Sequence, residues 1–156
     1  MLKFTDYDVV FQEIPDEVTL AINLSLCPNN CRGCHSPQLR TDIGERLTEE
    51  ALEGLLQQYG TNITCVCFMG GDGAPHEVAK LSDWVRTNYN LKTGWYSGKD
   101  KLVDESLSKS FDYIKIGSYI PERGPLKDPN TNQRLYKIAD GKMEDITCRF
   151  WRNHKI

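Results

Sequence analysis

Short apolar runs alternate along this chain with segments whose apolar residues recur at helical spacing, and this alternation limits the available folds more than any other feature. Residues 18–26 (VTLAINLSL) and 63–69 (ITCVCFM) are apolar runs typical of strands that are buried on both faces. Between them, residues 48–59 (TEEALEGLLQQY) carry leucines on one helical face behind Thr48, a suitable N-cap. Strands that alternate with helices through short connections predict a parallel sheet with right-handed crossovers.

The alternation continues through the middle of the chain. Helices are predicted at residues 76–89 and 99–109, and strands at residues 92–97 (KTGWYS) and 111–117 (FDYIKIG). After Gly117 the periodicity fades, which predicts a long loop followed by one or two irregular strands. A closed eight-unit barrel takes about 200 residues or more. The 156 residues of this chain therefore predict an open, incomplete parallel β/α barrel, with residues 1–156 as a single domain.

Charge and hydropathy limit the possible partners and compartments. The net charge of −3, with no basic stripe, argues against nucleic acid and against an anionic membrane surface as partners. No segment approaches the roughly 20 apolar residues of a membrane span, and the acidic start MLKFTDYDVVFQEIPDE is not typical of a signal peptide. We therefore expect a cytoplasmic protein with reduced thiols, in which clustered cysteines more often bind a metal than one another.

Three of the six cysteines lie within eight positions, directly after the first apolar run. Cys27, Cys31 and Cys34 form a C-x3-C-x2-C motif, and Pro28 and Gly33 suit the tight turns of a single loop. Three thiolates can hold three irons of a [4Fe–4S] cluster and leave the fourth iron open to a small molecule, whereas four thiolates would saturate the cluster.

Other uses of the cysteines are weaker. A structural zinc site needs a fourth ligand, for which the candidates are His35, His76 and His154. Disulfides use thiols in pairs and are rare in a reducing compartment. Cys65 and Cys67 stand two apart in an apolar run, so we expect them to point the same way as small buried side chains. Cys148 is likewise not expected to be a ligand.

Several polar features follow predicted strands. They are the cysteine motif, the GGDG sequence at residues 70–73, Ser97 and Gly117. Because ligand sites in parallel α/β folds lie at the carboxyl ends of the strands, we expect these features to share one edge of the sheet.

The cysteine motif, in its place after a buried strand, resembles the signature of the radical S-adenosylmethionine enzymes. The resemblance implies a [4Fe–4S] cluster held by Cys27, Cys31 and Cys34, with S-adenosyl-L-methionine bound at the open iron. It also implies a role for the glycine turn, because the superfamily carries there a Gly-Gly-Glu-type motif that binds the methionine amino group. The matching residues are Gly70, Gly71 and Asp72, with Asp in place of Glu.

Other positions depart from the superfamily or match it less specifically. An aromatic residue commonly precedes the third cysteine, but here Gly33 stands there and His35 follows. The activases of glycyl radical enzymes are similar in having a ring just after the third cysteine, which implies that His35 stacks on adenine; a surface histidine is the alternative. For Ser97 and Lys115 the resemblance implies contacts with ribose or the methionine carboxylate. Lys115 needs a partner, because a buried unpaired ammonium is costly.

Further stretches of the sequence narrow the resemblance to one group of enzymes within the superfamily. GGDG followed by Pro75 and His76, GWYSG, and PLKDPNTNQRLYKI resemble the activating proteins of anaerobic ribonucleoside-triphosphate reductases, and the likeness runs across nearly the whole chain. It implies an oxidoreductase whose reduced cluster cleaves S-adenosylmethionine to methionine and a 5′-deoxyadenosyl radical. That radical would remove hydrogen from a glycine of the reductase and leave a glycyl radical, with a flavodoxin or ferredoxin as electron donor. No catalytic side chain is implied beyond the cluster ligands.

Alternatives remain at this point. The chain could activate another glycyl radical enzyme of the formate-lyase type, act on a small molecule, or be a non-catalytic zinc or iron–sulfur binding module. An alkyl radical must be kept from water, and the short chain offers no spare domain to cover an open barrel. We therefore expect a protein substrate to close the site, with PLKDPNTNQRLY as a candidate contact loop.

Overall fold

The computed structural model describes residues 2–25, 44–102 and 104–151, which form a mixed α/β fold around one eight-stranded sheet. The strands are β1 (Lys3–Val10), β2 (Thr19–Leu24), β3 (Glu45–Arg46), β4 (Cys65–Met69), β5 (Lys92–Tyr96), β6 (Tyr113–Ile116), β7 (Arg134–Ala139) and β8 (Lys142–Asp145). The helices are α1 (Glu49–Tyr59), α2 (Pro75–Asn88) and two 3₁₀ helices, Glu105–Ser110 and Thr147–Phe150. None of the helices within the described ranges is long and apolar enough to cross a membrane.

The strand order is β3-β1-β2-β4-β5-β6-β7-β8. The predicted parallel sheet is confirmed for the four central strands, because β2, β4, β5 and β6 pair in parallel. The two flanks differ from the prediction, since β1 and β3 on one side and β7 and β8 on the other pair antiparallel. Asp140 and Gly141 show why for one flank: their φ angles of 52° and 74° make a two-residue hairpin turn, too short for a parallel crossover.

Helices α1 and α2 form where the sequence predicts helices, whereas the third predicted helix forms only in part, and the 3₁₀ helix Thr147–Phe150 was not predicted. The Thr48 side chain accepts a hydrogen bond from the Ala51 amide and caps α1, as predicted. The helix predicted over residues 99–109 is wrong in its extent, because among the described residues of this stretch the helical ones belong to the 3₁₀ helix Glu105–Ser110. Its cap explains the difference: Asp104 has extended backbone angles and accepts the Ser106 amide, so the helix begins only after it.

The four central strands of the sheet are buried on both faces. One face carries the larger core and packs against the helices, with Leu20, Ile22, Val66, Phe68, Trp95 and Ile114 among its residues. The opposite face, here called the inner face, carries a smaller core of Ile14, Cys65, Cys67, Tyr113, Leu135 and Ile146. Cys65 and Cys67 are fully buried on this face, which confirms that they are packed side chains. Burial raises the pKa of both thiols, so they stay protonated.

Candidate functional site

The carboxyl ends of the four parallel strands meet at one edge of the sheet, here called the carboxyl rim. In-register pairing brings Asn23 opposite Met69, Met69 opposite Tyr96, and Tyr96 opposite Lys115. The rim consists of these residues and the turns that follow them. Of the predicted site residues, Cys27, Cys31, Cys34 and His35 lie outside the described residues.

The turn after β4 contains the two predicted glycines. Gly70 and Gly71 have φ angles of 107° and 87°, a region that residues with a Cβ rarely adopt. The Gly70 amide donates to the carbonyl of Tyr96 at 3.0 Å, and the Trp95 indole donates to the carbonyl of Gly70 at 2.7 Å. A Cβ on Gly71 would lie 2.6 Å from Cγ2 of Val78. Backbone conformation and packing therefore both require glycine at position 71, independently of any ligand.

Asp72 and Ser97 are two predicted site residues that the structure brings together. The Ser97 hydroxyl donates to Oδ1 of Asp72 at 2.5 Å, and the Gly98 amide donates to Oδ2 at 2.8 Å. Both residues are largely shielded from solvent, Asp72 with 9% and Ser97 with 1% of its surface exposed. The Asp72 carboxylate therefore connects the turn after β4 to the turn after β5.

Lys115 lies at the end of β6 on the inner face. Its ammonium donates to Oε1 of Gln133 at 3.0 Å and to the carbonyl of Gly117 at 3.1 Å, and lies 5.5 Å from the centre of the Tyr96 ring. The prediction that this buried lysine has partners is confirmed. Asp72 follows β4 and Lys115 lies in β6, and these strands are two steps apart, about 10 Å in a sheet. The carboxylate and the ammonium at the rim are thus both buried and hydrogen-bonded within the chain.

Sequence reasoning missed three contributors to the rim. Gln133 lies 18 positions after Lys115, and no local pattern connects the two residues. Trp95 and Tyr96 were visible as strand residues, but their polar atoms gave no signal. The Tyr96 hydroxyl donates to the carbonyl of Glu13, and burial raises its pKa, so it remains a neutral donor.

Potential metal ligands do not cluster in the part of the chain that is described. No group of three or more His, Cys, Asp or Glu side chains suited to a metal ion occurs within residues 2–25, 44–102 and 104–151. His76, a candidate fourth zinc ligand, is well exposed, and its Nε2 lies 3.3 Å from Oδ2 of Asp104. His154, the other distant candidate, falls outside the described residues.

Comparisons of the chain with models of protein families, with curated proteins and with solved structures found no match.

Proposed function

We propose that this chain is a radical S-adenosylmethionine activase that generates a glycyl radical on an anaerobic ribonucleoside-triphosphate reductase. One observation carries the proposal. Parallel pairing of β2 with β4 makes Asn23 and Met69 neighbours, so the segment that leads to Cys27 departs beside the turn that begins at Gly70. The backbone agrees, since a Cβ on Gly70 would lie 3.4 Å from the carbonyl oxygen of Leu24.

The finer fold in this proposal is an incomplete parallel β/α barrel in a single domain. Support comes from the order β2-β4-β5-β6, in which each parallel step is one strand along the sheet. Helix α1 precedes β4, α2 precedes β5, and the 3₁₀ helix Glu105–Ser110 precedes β6. Residues of all three helices belong to the core on the same face of the sheet, as repeated right-handed crossovers require.

The described part of the rim suits the proposed cofactor. Cys27, Cys31 and Cys34 would hold the cluster. The Gly70–Gly71–Asp72 turn would receive the amino group of S-adenosylmethionine, and Lys115 would receive its carboxylate. When bound, cluster and cofactor would supply the one-electron cleavage that yields a 5′-deoxyadenosyl radical.

The chain's own contribution would be to bind and orient the cofactor and to exclude water from it. Below the rim, Ile14 fills the space over Gly94, where a Cβ would lie only 2.6 Å from its Cδ1. Ile14 is fully buried, so this part of the inner face is closed to solvent. Substrate access would then be from the rim, where the glycine-bearing loop of a partner protein could cover the site and protect the radical.

Electron paramagnetic resonance tests this proposal. The protein is purified and reconstituted with iron and sulfide without oxygen, reduced, and measured with and without S-adenosylmethionine. We expect a [4Fe–4S]⁺ signal that changes when the cofactor is added, together with accumulation of 5′-deoxyadenosine. After addition of the reductase, a glycyl radical signal should appear.

Two cysteine variants provide the controls. Cys31→Ala should abolish the cluster signal, whereas Cys148→Ala, outside the motif and partly buried, should keep it. Uptake of one zinc ion with no cluster, and no response to the cofactor, would mean that the three cysteines are structural and that the proposal is wrong.

A further inference from the structure

The turns after β4 and β5 are joined by a single carboxylate. Oδ1 of Asp72 accepts from the Ser97 hydroxyl at 2.5 Å, and Oδ2 accepts from the Gly98 amide at 2.8 Å. The Ser97 oxygen in turn accepts from the Lys99 amide at 3.1 Å. Asp72 therefore fixes both the side chain and the backbone of the neighbouring turn.

The preceding residue strengthens the same connection. Both polar backbone groups of Gly70 bond to β5, the amide to the Tyr96 carbonyl and the carbonyl to the Trp95 indole. Four hydrogen bonds thus join residues 70–72 to residues 95–98. The two turns behave as one unit, and a shift of either must displace the other.

We propose that Asp72 is a positioning residue, which acts through Ser97 and Gly98 to hold the rim in its binding geometry instead of contacting the ligand's amino group directly. This inference rests on the proposed function for the identity of the ligand, S-adenosylmethionine. Both carboxylate oxygens already accept hydrogen bonds from the β5 turn. Aspartate is one methylene shorter than the glutamate of the resembled motif, and here it extends sideways along the rim to the neighbouring strand.

The test compares binding of S-adenosylmethionine to the cluster-loaded wild type and to four variants, by calorimetry without oxygen. They are Asp72→Asn, Asp72→Glu, Ser97→Ala and the double variant Asp72→Asn with Ser97→Ala. We expect Asp72→Asn and Ser97→Ala each to weaken binding about tenfold or more, as loss of a hydrogen bond to a charged group does. The double variant should weaken binding no further than the single ones, because each change breaks the same connection.

Asp72→Glu is the most discriminating variant. It restores the residue of the resembled motif, so a direct ligand contact would be kept or improved. A positioning role predicts weaker binding, because the added methylene moves the carboxylate away from Ser97 and Gly98. In the protein without cluster or cofactor, hydrogen exchange at the Gly98 amide should be faster in Asp72→Glu, whose carboxylate moves away from that amide. The increase should be smaller in Asp72→Asn, which keeps one acceptor oxygen for the two donors Ser97 and Gly98.

A second carboxylate–hydroxyl pair provides the matched control. The Ser110 hydroxyl donates to Oδ2 of Asp83 at 3.0 Å, away from the rim. Asp83→Asn and Ser110→Ala should leave the affinity for S-adenosylmethionine unchanged. All variants are measured well below their unfolding temperatures, which circular dichroism determines.

If the wild-type protein binds the cofactor, three results would overturn the positioning role of Asp72. They are loss of affinity in Asp72→Asn without loss in Ser97→Ala, wild-type affinity in Asp72→Glu, and faster Gly98 exchange with unchanged affinity in every variant. A wild type that holds its cluster but binds no S-adenosylmethionine would refute the proposed function, and the positioning role with it.

Discussion

At the scale of single residues, the buried carboxylate of Glu17 shows how hydrogen bonds can outweigh desolvation. Only 5% of its surface is exposed, yet it accepts bonds from the Tyr113 hydroxyl at 2.7 Å, the Thr64 hydroxyl at 2.7 Å and the Lys92 ammonium at 3.0 Å. Burial alone would raise its pKa, but these bonds hold the pKa below the ordinary value of 4.5. The charged form of Glu17 therefore stabilises the folded chain.

The pH dependence of stability tests this interpretation. Since the folded pKa lies below the unfolded value of 4.5, the contribution is present above that pH and is lost as the pH falls through the folded pKa. Glu17→Gln should lower the free energy of unfolding at neutral pH by roughly 1–3 kcal/mol. It should also flatten the loss of stability on further acidification, measured by urea unfolding. Glu53→Gln, an exposed position on α1, is the control and should change neither quantity.

At the scale of elements, the turn from β4 into α2 shows a local requirement for glycine. A Cβ on Gly71 would lie 2.6 Å from Cγ2 of Val78 and 2.8 Å from Cδ1 of Leu24, at a φ of 87°. Gly71→Ala should therefore lower the free energy of unfolding by roughly 1–3 kcal/mol, through strain and overpacking. Gly54→Ala is the opposite case, because a Cβ on this helical residue would meet nothing within 4 Å.

We expect Gly54→Ala to raise the free energy of unfolding by up to about 1 kcal/mol, since alanine favours a helix over glycine. Thermal unfolding of the two variants side by side checks the prediction. Equal effects of the two substitutions would show that the turn tolerates a side chain at position 71.

Strands and helices could be predicted from the sequence where their apolar residues form an uninterrupted run or recur at regular spacing. Strands β2 and β4 formed where predicted because they are almost entirely buried and apolar, and helix α1 because its buried leucines, Leu52, Leu55 and Leu56, recur at helical spacing. Strand β1 gave no such signal: it reads KFTDYDVV, and most of its residues remain partly or fully exposed. It is a strand because its backbone pairs with β2, for example Tyr7 with Ile22, and such pairing leaves little trace in composition.

The same limit explains which parts of the candidate site were missed. The four strand ends could be expected at one edge because parallel strands share their direction. The bond from Ser97 to Asp72 could not, because it joins residues 25 positions apart and depends on the register of β4 against β5. The contact of Glu17 with Tyr113 spans 96 positions and is still less visible in the sequence.

At the scale of the whole molecule, the segment between β1 and β2 closes the inner face of the sheet. Its Ile14 is fully buried and belongs to the same cluster as Cys67 and Tyr113. The neighbouring Glu13 carbonyl accepts from Tyr96, which fastens the segment to β5. A connection of eight residues (11–18) thus supplies the packing that a second sheet or helix layer would otherwise provide.

Two substitutions within this segment compare a buried, packed side chain with an exposed one. Ile14→Ala removes buried methyl groups from a filled space, so it should lower the free energy of unfolding by roughly 2–5 kcal/mol. Phe11→Ala removes a larger side chain from the same segment, but 68% of Phe11 is exposed, so we expect a change within about 0.5 kcal/mol. Urea unfolding of both variants measures the difference.

Comparable losses would mean that the segment lies against the sheet through Phe11 as much as through Ile14, and that the inner face is not closed in the way described. A large loss for Ile14→Ala alone would confirm that the space below the rim is packed and leave the rim as the open side of this face.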